Sequence, residues 1–263
     1  MYHVSIALGL YNVRTDLAQD FEGTLKKVKE MGYDGVEFAG NFGGRSAAEI
    51  RALCEKYAIT PVAAHIPIGE LLEDENTLPF YQEIGIEFAV IPYLAEPYTY
   101  GAENYPETVE KINALQRRAA QMGMTLCYHN HDSEFAKDGD KYIMDRILEQ
   151  MPQVQPEFDS GWVQIAGCDP VEYIHNYKDR IQILQFKDYV GSKKIGEHPR
   201  FVPGFCFTDV GSGKLECRRI MKAAKEIGVR WIMVEQDWSP EGKTDLECAK
   251  LSLDYLRGLC KEV

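Results

Sequence analysis

AQMGMTLCYHNH (residues 120–131) contains the end of a helix, then a glycine, then an apolar strand. Three other segments repeat this order: KEMGYDGVEF (29–38), QEIGIEFAVIPY (82–93) and KEIGVRWIMVEQD (225–237). In each, a glycine (Gly32, Gly85, Gly123 or Gly228) stands where a helix ends in left-handed backbone. An apolar run of strand length begins two or three residues later. The four segments therefore predict a helix-to-strand unit that recurs along the chain.

Outward from these units, apolar runs and helical periodicity predict a complete alternation of strands and helices. The predicted strands lie near 4–10, 35–39, 61–66, 88–93, 125–131, 153–159, 181–187 and 230–236. The predicted helices lie near 17–31, 46–57, 70–84, 105–123, 140–150, 170–178, 214–228 and 244–261. Eight alternations favour a closed (β/α)8 barrel, or TIM barrel, over an open doubly wound sheet. We therefore predict an α/β fold in which residues 1–263 form a single TIM-barrel domain.

Two further local patterns refine this prediction. Ser46 with Glu49, and Thr244 with Glu247, have the spacing of a capping box at the start of a helix. The longest segment without a periodic pattern, 189–213, comes after the seventh strand and is a candidate active-site loop.

Composition limits the classes of partner. The formal net charge of −12 disfavours binding to a nucleic-acid backbone, which requires clustered Lys and Arg. No segment approaches the ~20 apolar residues of a membrane span, and the opening residues lack a basic leader. The seven cysteines form no CxxC pair, as is typical of a reduced compartment. We expect a cytoplasmic protein that binds neither nucleic acid nor membranes and is compatible with a homo-oligomer.

Polar residues follow the predicted strands at their carboxyl ends, the face that carries the active site in this fold. They are Glu37, His65, His129, His131, Glu134, Glu157, Asp159, Gln185, Lys187 and Glu235. Side chains alternate along a strand, so His129 and His131 share one face, and the pairs on the sixth and seventh strands do likewise. Burying several carboxylates together is costly unless a cation is present, which predicts a divalent metal. Taken alone, each residue is also compatible with an ordinary hydrogen-bonded barrel position.

Three other features are less specific. The turn VGSGKLE (210–216) has the glycines of an anion cradle, but ordinary turn chemistry is favoured. His198 and Arg200 lie in the long loop, either over the pocket or in solvent. The tyrosines near the fourth strand's end suit a sugar-binding wall as well as loop packing: they are Tyr93, Tyr98, Tyr100 and Tyr105.

The segment YHNHDSEF (128–135) resembles the YHNHxxEF signature of one branch of the xylose isomerase-like superfamily of sugar isomerases and epimerases. The likeness covers nearly the whole chain, because other family segments follow in the same order. These are LGLYNVR (8–14), MGYDGVEFAG (31–40), EFDSGWV (157–163), FKD (186–188), VGSGKL (210–215) and VEQD (234–237).

The resemblance implies a divalent metal held by Glu, Asp, His and Glu from the last four strands. Asp159 and Glu235 match the second and fourth ligands. Gln185 occupies the position that is usually His, and His129 the position that is usually Glu, for which we expect Glu134 to substitute. This oxygen-rich set favours Mn²⁺ or Mg²⁺ over Co²⁺ or Zn²⁺, whereas ligation by His129 or His131 would favour softer metals.

The remaining tip residues are expected to bind the substrate, a small sugar or polyol. They are Glu37, His65, His129, Glu157, His198 and Arg200. The predicted chemistry is proton abstraction next to a carbonyl through an enediolate. Glu134 or Glu235 would act as the base, and His131 and Lys187 would orient or protonate substrate oxygens.

This chemistry predicts an isomerase or epimerase of a sugar or keto-sugar. A leaving group β to the carbonyl would instead give a lyase or dehydratase, acting on a keto-sugar, ketoinositol or 3-dehydroshikimate-like substrate. Two other classes rank lower. A non-catalytic sugar- or metal-binding barrel would account for the departures at Gln185 and His129. An endonuclease IV-type DNA repair enzyme is disfavoured by the acidic charge and by the presence of only six histidines.

Overall fold

Eight parallel strands close into a barrel in this computed structural model, which describes residues 4–40 and 42–263. Their spatial order is β1-β8-β7-β6-β5-β4-β3-β2, with β1 paired to both β2 and β8. The strands are β1 (Ser5–Gly9), β2 (Gly35–Phe38), β3 (Thr60–His65), β4 (Phe88–Ile91), β5 (Thr125–His129), β6 (Gln155–Asp159), β7 (Ile183–Phe186) and β8 (Trp231–Val234). The predicted (β/α)8 barrel is confirmed, and each predicted strand has its counterpart.

Helices connect successive strands. They are α1 (Arg14–Gln19), α2 (Phe21–Met31), α3 (Ala47–Tyr57), α4 (Ile68–Glu73), α5 (Thr77–Ile84), α6 (Tyr105–Gln121), α7 (Ile143–Gln150), α8 (Ser160–Ile165), α9 (Pro170–Asn176), α10 (Cys217–Ile227) and α11 (Asp245–Glu262). The single helices predicted near 17–31 and 70–84 are each two helices. In the first case Asp20 interrupts the run, because its carboxylate accepts a hydrogen bond from the Gly23 amide and so caps α2.

The long segment after β7 is partly ordered as a two-stranded antiparallel ribbon, Asp188–Val190 with Cys206–Thr208, followed by the turn that precedes α10. A second small ribbon, Lys137–Asp138 with Lys141–Tyr142, comes after β5. Within the described residues, no helix has the length and apolar content that a membrane crossing requires.

The predicted helix ends and starts are confirmed. Gly32, Gly85 and Gly228 are left-handed C-caps, and Gly123 also has a positive φ, of 76°. Both predicted capping boxes form, one at the start of α3 and one at the start of α11.

The barrel separates two apolar cores. Side chains such as Tyr128, Phe158 and Phe186 point outward and pack against the helices, as strand parity predicts. A smaller core, which includes Phe88 and Ile183, fills the barrel interior. Each such side chain contributes roughly 1.5–3 kcal/mol on burial. The filled interior leaves the polar residues at the carboxyl end of the barrel as the floor of an open site.

Candidate metal and active site at the carboxyl end of the barrel

The polar floor arises from strand parity. Along β5, the inward position after the buried Cys127 is His129, and along β7 the inward position after Ile183 is Gln185. Pairing between strands sets these positions side by side: His129 is opposite Glu157 on β6. The alternation that fills the barrel with apolar side chains therefore places a polar layer directly above them.

Two histidines and two glutamates form what we call the imidazole–carboxylate cluster: Glu37, His65, His129 and Glu157. Nε2 of His65 lies 3.0 Å from Oε2 of Glu157 and 3.5 Å from Oε1 of Glu37. Nδ1 of His129 lies 3.6 Å from Oε2 of Glu157. All four side chains are buried or nearly so, with His65 the most exposed at 11%. The cluster thus concentrates nitrogen and oxygen donors in a water-poor space.

A buried lysine organises the adjacent acidic residues into what we call the lysine cluster: Lys187, Asp159, Glu235 and Asp237. Nζ of Lys187 lies 2.9 Å from Asp237 Oδ1, 3.0 Å from Glu235 Oε1 and 3.4 Å from Asp159 Oδ2. Burial alone would lower the pKa of Lys187, but these carboxylates raise it well above its ordinary value. Lys187 is therefore a fixed ammonium.

Gln185 links the two clusters. Its amide Nε2 donates to Oε2 of Glu235 at 2.8 Å and to Oε2 of Glu37 at 3.3 Å. The structure therefore brings three of the four predicted metal ligands, Asp159, Gln185 and Glu235, to one place. However, Asp159 and Glu235 face the lysine ammonium, and Gln185 presents its amide nitrogen to the carboxylates.

Several deeply buried polar atoms make no hydrogen bond among the described residues. Those in the imidazole–carboxylate cluster are Oε1 of Glu37, Nδ1 of His129 and Oε1 of Glu157. Burial raises the pKa of Glu157 to about 8 and that of Glu37 well above its ordinary value, and it lowers the pKa of His129. A divalent cation would supply the positive charge that favours the ionised form of these carboxylates beside the neutral imidazole of His129. The donor set therefore fits a metal ion.

Two sets of three donors have the spacing of a metal site: His65 with His129 and Glu157, and Glu37 with His65 and Glu235. In each set the donor atoms all lie within 4.8 Å of one another. Both sets include residues that were expected, from sequence, to bind the substrate. The candidate donors therefore come from β2 and β3 as well as from β5, β6 and the end of β8, and not from the last four strands alone.

A cavity of about 360 Å³ opens above this floor. His65, His129 and His131 line it, together with Glu235 and Asp237. Tyr11, Tyr81 and Tyr93 add aromatic surface, and such surfaces suit the faces of small ring compounds. The volume is that of a small-molecule site.

His131 lies at the edge of the cavity between two aromatic rings. Its ring centroid is 5.5 Å from that of Trp162 and 6.1 Å from that of Tyr93. Burial lowers the pKa of His131, which leaves the imidazole neutral and able to accept a proton. The acid–base role of His131 stays a prediction.

Glu134 does not join the floor, which disagrees with its predicted place as metal ligand and base. Its Oε1 accepts from the Tyr128 hydroxyl at 2.9 Å, and its Oε2 accepts from the His131 amide at 3.0 Å and the Ser133 hydroxyl at 2.9 Å. Strand parity explains this position. Tyr128 points away from the barrel interior, and Glu134 is hydrogen-bonded to it on that side. Glu134 instead fixes the backbone that carries His131.

The two loop residues expected to bind substrate also lie elsewhere. Arg200 is exposed and its guanidinium lies 4.5 Å from the ring centroid of Trp238. His198 is exposed and packs on Phe201 at 4.9 Å between ring centroids. Neither is among the residues that line the cavity.

Two acidic residues at the site, and a third beside it, were not predicted from the sequence. Asp237 completes the lysine cluster, and the parity rule that pairs other tip residues would have found it two positions after Glu235. Glu70, at the start of α4, lines the cavity, but no sequence signal distinguishes it from a surface residue. Asp188 lies under the glycine turn 211–213, where its carboxylate accepts backbone hydrogen bonds.

Comparisons with known proteins agree with this architecture. A family model described as xylose isomerase-like TIM barrel matches residues 25–259. Inosose dehydratase of Geobacillus kaustophilus is 24% identical over 267 residues, which cover 88% of this chain and 85% of that protein.

Two solved structures share the fold. A sugar phosphate isomerase/epimerase from Parabacteroides distasonis has a TM-score of 0.74 at 21% identity, covering 98% of this chain and 94% of that chain. A protein named IOLI, solved with a bound zinc atom, has a TM-score of 0.73 at 16% identity, covering 98% of this chain and 99% of that chain. With the match of the family model over most of its length, the chain belongs to the xylose isomerase-like TIM barrel family.

Proposed function

We propose that this protein is a divalent-metal-dependent enzyme that removes a proton next to the carbonyl of a sugar or keto-sugar and thereby isomerises or epimerises it. The observation that carries the proposal is the imidazole–carboxylate cluster at the floor of a small-molecule cavity, in which three buried polar atoms make no hydrogen bond among the described residues. Buried polar atoms that make no hydrogen bond reduce the stability of the folded protein. Their presence is therefore better explained by a bound ion than by a need for stability.

His65, His129 and Glu157 would hold the metal, and Glu37 lies beside His65 as a further donor. When bound, such an ion polarises a carbonyl and holds neighbouring hydroxyl oxygens of a sugar. Imidazole donors shift the preference from Mg²⁺ toward Zn²⁺, Co²⁺ or Mn²⁺. The zinc atom in the IOLI structure supports this choice.

Glu235 and His131 both line the cavity and would transfer protons to and from the substrate. Burial opposes the ionisation of Glu235, but the adjacent Lys187 ammonium keeps the pKa of its carboxyl below the ordinary value. Glu235 is thus a carboxylate able to take a proton from the carbon next to the carbonyl. His131, as a neutral imidazole, exchanges a second proton with a substrate oxygen or carbon. Lys187 orients Glu235 and stabilises negative charge that develops nearby.

The second candidate is a dehydratase acting on a keto-sugar or ketoinositol. The 24% identity with inosose dehydratase across 88% of this chain favours it. The same proton removal serves both reactions, and they differ in the fate of the enediolate. In a dehydratase, the hydroxyl β to the carbonyl would leave as water, with the proton supplied by Glu235 once it has taken the substrate proton or by His131 after it has accepted one.

Deuterium exchange separates these outcomes. The metal-loaded protein is incubated in deuterium oxide with a panel of ketoses, aldoses and ketoinositols, and each mixture is followed by NMR. Deuterium at the carbon next to the carbonyl with interconversion supports the isomerase or epimerase. Loss of a hydroxyl, seen as an enone or diketone, supports the dehydratase. Bound metal without exchange on any substrate would overturn both in favour of a non-catalytic barrel.

A further inference from the structure

We infer that this site takes an uncharged polyhydroxy ketone or aldehyde and excludes its phosphate ester. The inference rests on the proposed function and specifies its substrate class. Two independent observations support it: the occupant of the glycine turn after β7 and the charge of the cavity lining.

Barrels of this class frequently bind phosphate with the loops after the seventh and eighth strands and the N-terminus of a helix. In this chain that place is the turn 210–216, which precedes α10. The Asp188 carboxylate fills the turn. Its Oδ2 accepts from the Gly211 and Gly213 amides, both at 2.9 Å, and its Oδ1 accepts from the Leu215 amide at 2.8 Å.

The Asp188 carboxylate therefore takes the place of an external anion. Oδ1 also accepts from the Tyr189 amide at 2.8 Å, so four backbone donors converge on one internal charge. The fit is tight, because a Cβ added at Gly213 would lie 2.3 Å from Asp188 Oδ1. A phosphate at this turn would displace a carboxylate that is 1% exposed, and it would be repelled by that carboxylate if both remained.

Apart from the metal ion proposed for its floor, the cavity lining offers a phosphate no Lys or Arg side chain among the described residues. Among its lining residues in the described ranges 4–40 and 42–263, none is Lys or Arg, whereas three are acidic: Glu70, Glu235 and Asp237. Glu70 is exposed and lies away from the buried floor, where the far end of a bound sugar would reach. A dianionic group would meet like charge there, while hydroxyl groups would find acceptors.

The cationic side chains at and beside the site already have partners within the protein. Arg14 donates to the carbonyl oxygens of Tyr11 at 2.6 Å and Asp237 at 2.7 Å. Lys193 forms an ion pair with Asp132, and the side chain of Lys193 is fully buried there. Lys187 already faces three carboxylates.

The test compares matched pairs of substrates on the wild-type, metal-loaded protein. Ketopentoses, ketohexoses and ketoinositols are each offered beside their phosphate monoesters, and deuterium incorporation is followed by NMR. We expect exchange on a neutral member, with kcat/KM at least about 100-fold above that of its monoester. Equal or faster exchange on a monoester overturns the inference and leaves the proposed function standing.

If no member of any pair exchanges, the proposed function fails, and a second measurement decides the inference. Inorganic phosphate is titrated into the wild-type protein and followed by ³¹P line width. Saturable binding overturns the inference, and the absence of binding supports it. In Asp188→Ala, which frees the four amides, phosphate should raise the melting temperature when chloride at equal ionic strength does not. The wild-type measurements decide the inference even where this variant fails to fold.

Discussion

Nζ of Lys187 lies 3.0 Å from Oε1 of Glu235, with the side chains 1% and 7% exposed, respectively. An ion pair so deeply buried is costly to form, and a hydrophobic pair would serve stability equally well. We therefore assign this pair a role in the chemistry of the site. Lys187 holds Glu235 ionised and fixes the direction in which its carboxylate points.

Replacing this lysine tests its electrostatic role. We expect Lys187→Met to lower the free energy of unfolding by about 3–5 kcal/mol, because three buried carboxylates lose their shared counter-ion. Urea denaturation followed by circular dichroism measures the change. Lys222→Met, on the exposed face of α10, is the control and should stay within about 0.5 kcal/mol of wild type. A change at Lys187 no larger than that of the control would refute the role.

The metal position is tested at His65, which belongs to both donor sets. We expect His65→Ala to weaken the binding of Zn²⁺ or Mn²⁺ by at least about 100-fold, because it removes a donor atom from either set. Elemental analysis after dialysis measures the metal content. Glu134→Gln is the control, since the Glu134 carboxylate faces Tyr128, and it should retain the metal. The opposite pattern would restore Glu134 as the ligand.

The acid–base assignment is tested at His131. We expect His131→Asn to lower kcat by roughly 10²–10⁴-fold with a much smaller change in KM, because proton transfer is lost while the cavity remains. The metal content should not change. His175→Asn is the control, because His175 is 46% exposed and pairs with Glu226 on the outer surface. Unchanged kcat in the His131 variant would assign the second proton transfer to another group.

Stability at acid pH should depend on Asp209. Burial alone would raise the pKa of Asp209, but hydrogen bonds from Lys243 and Ser212 hold it below its ordinary value. A carboxyl of depressed pKa stabilises the fold at pH values above its unfolded pKa of about 3.9, and the contribution disappears as pH falls through the folded pKa. Asp209→Asn should cost about 2 kcal/mol at neutral pH and less as the pH falls below about 4.

The control for Asp209 is an aspartate whose ion pair is exposed. Asp254 pairs with Lys250 along α11, with side chains 58% and 46% exposed, so Asp254→Asn should change stability by less than about 0.5 kcal/mol at any pH. Unfolding in urea at several pH values compares the two variants. An Asp209 variant whose deficit grows as the pH falls would contradict a depressed pKa for this carboxyl.

The barrel was predictable from sequence because its signals are local. Each helix that ends at a glycine and is followed by an apolar run identifies one helix-to-strand unit. The capping boxes at Ser46 and Thr244 are recognised from a glutamate three positions later. The segments that differed are those in which a single polar side chain decides the backbone. Asp20 divides one predicted helix in this way, through a hydrogen bond that periodicity does not reveal.

The site was predictable only as far as strand parity reaches. Parity brings Glu157, Asp159, Gln185 and Lys187 to one end of the barrel, as the structure shows. The hydrogen bonds and ion pairs that these side chains form depend on distances across the barrel, between strands that are far apart in sequence. Strand parity within β5 also explains why Glu134 lies outside the polar floor. Its hydrogen-bond partner, Tyr128, lies on the outer face of the barrel.

The two donor sets meet at a single atom, since one imidazole nitrogen of His65 faces both Glu157 and Glu37. One lone pair binds only one ion, so the two donor sets describe alternative positions of a single metal ion rather than two adjacent metal sites. The protein should therefore saturate at one equivalent of metal per chain, as a mononuclear centre. Paired-ion chemistry of the kind found in phosphatases and nucleases would then be beyond its reach.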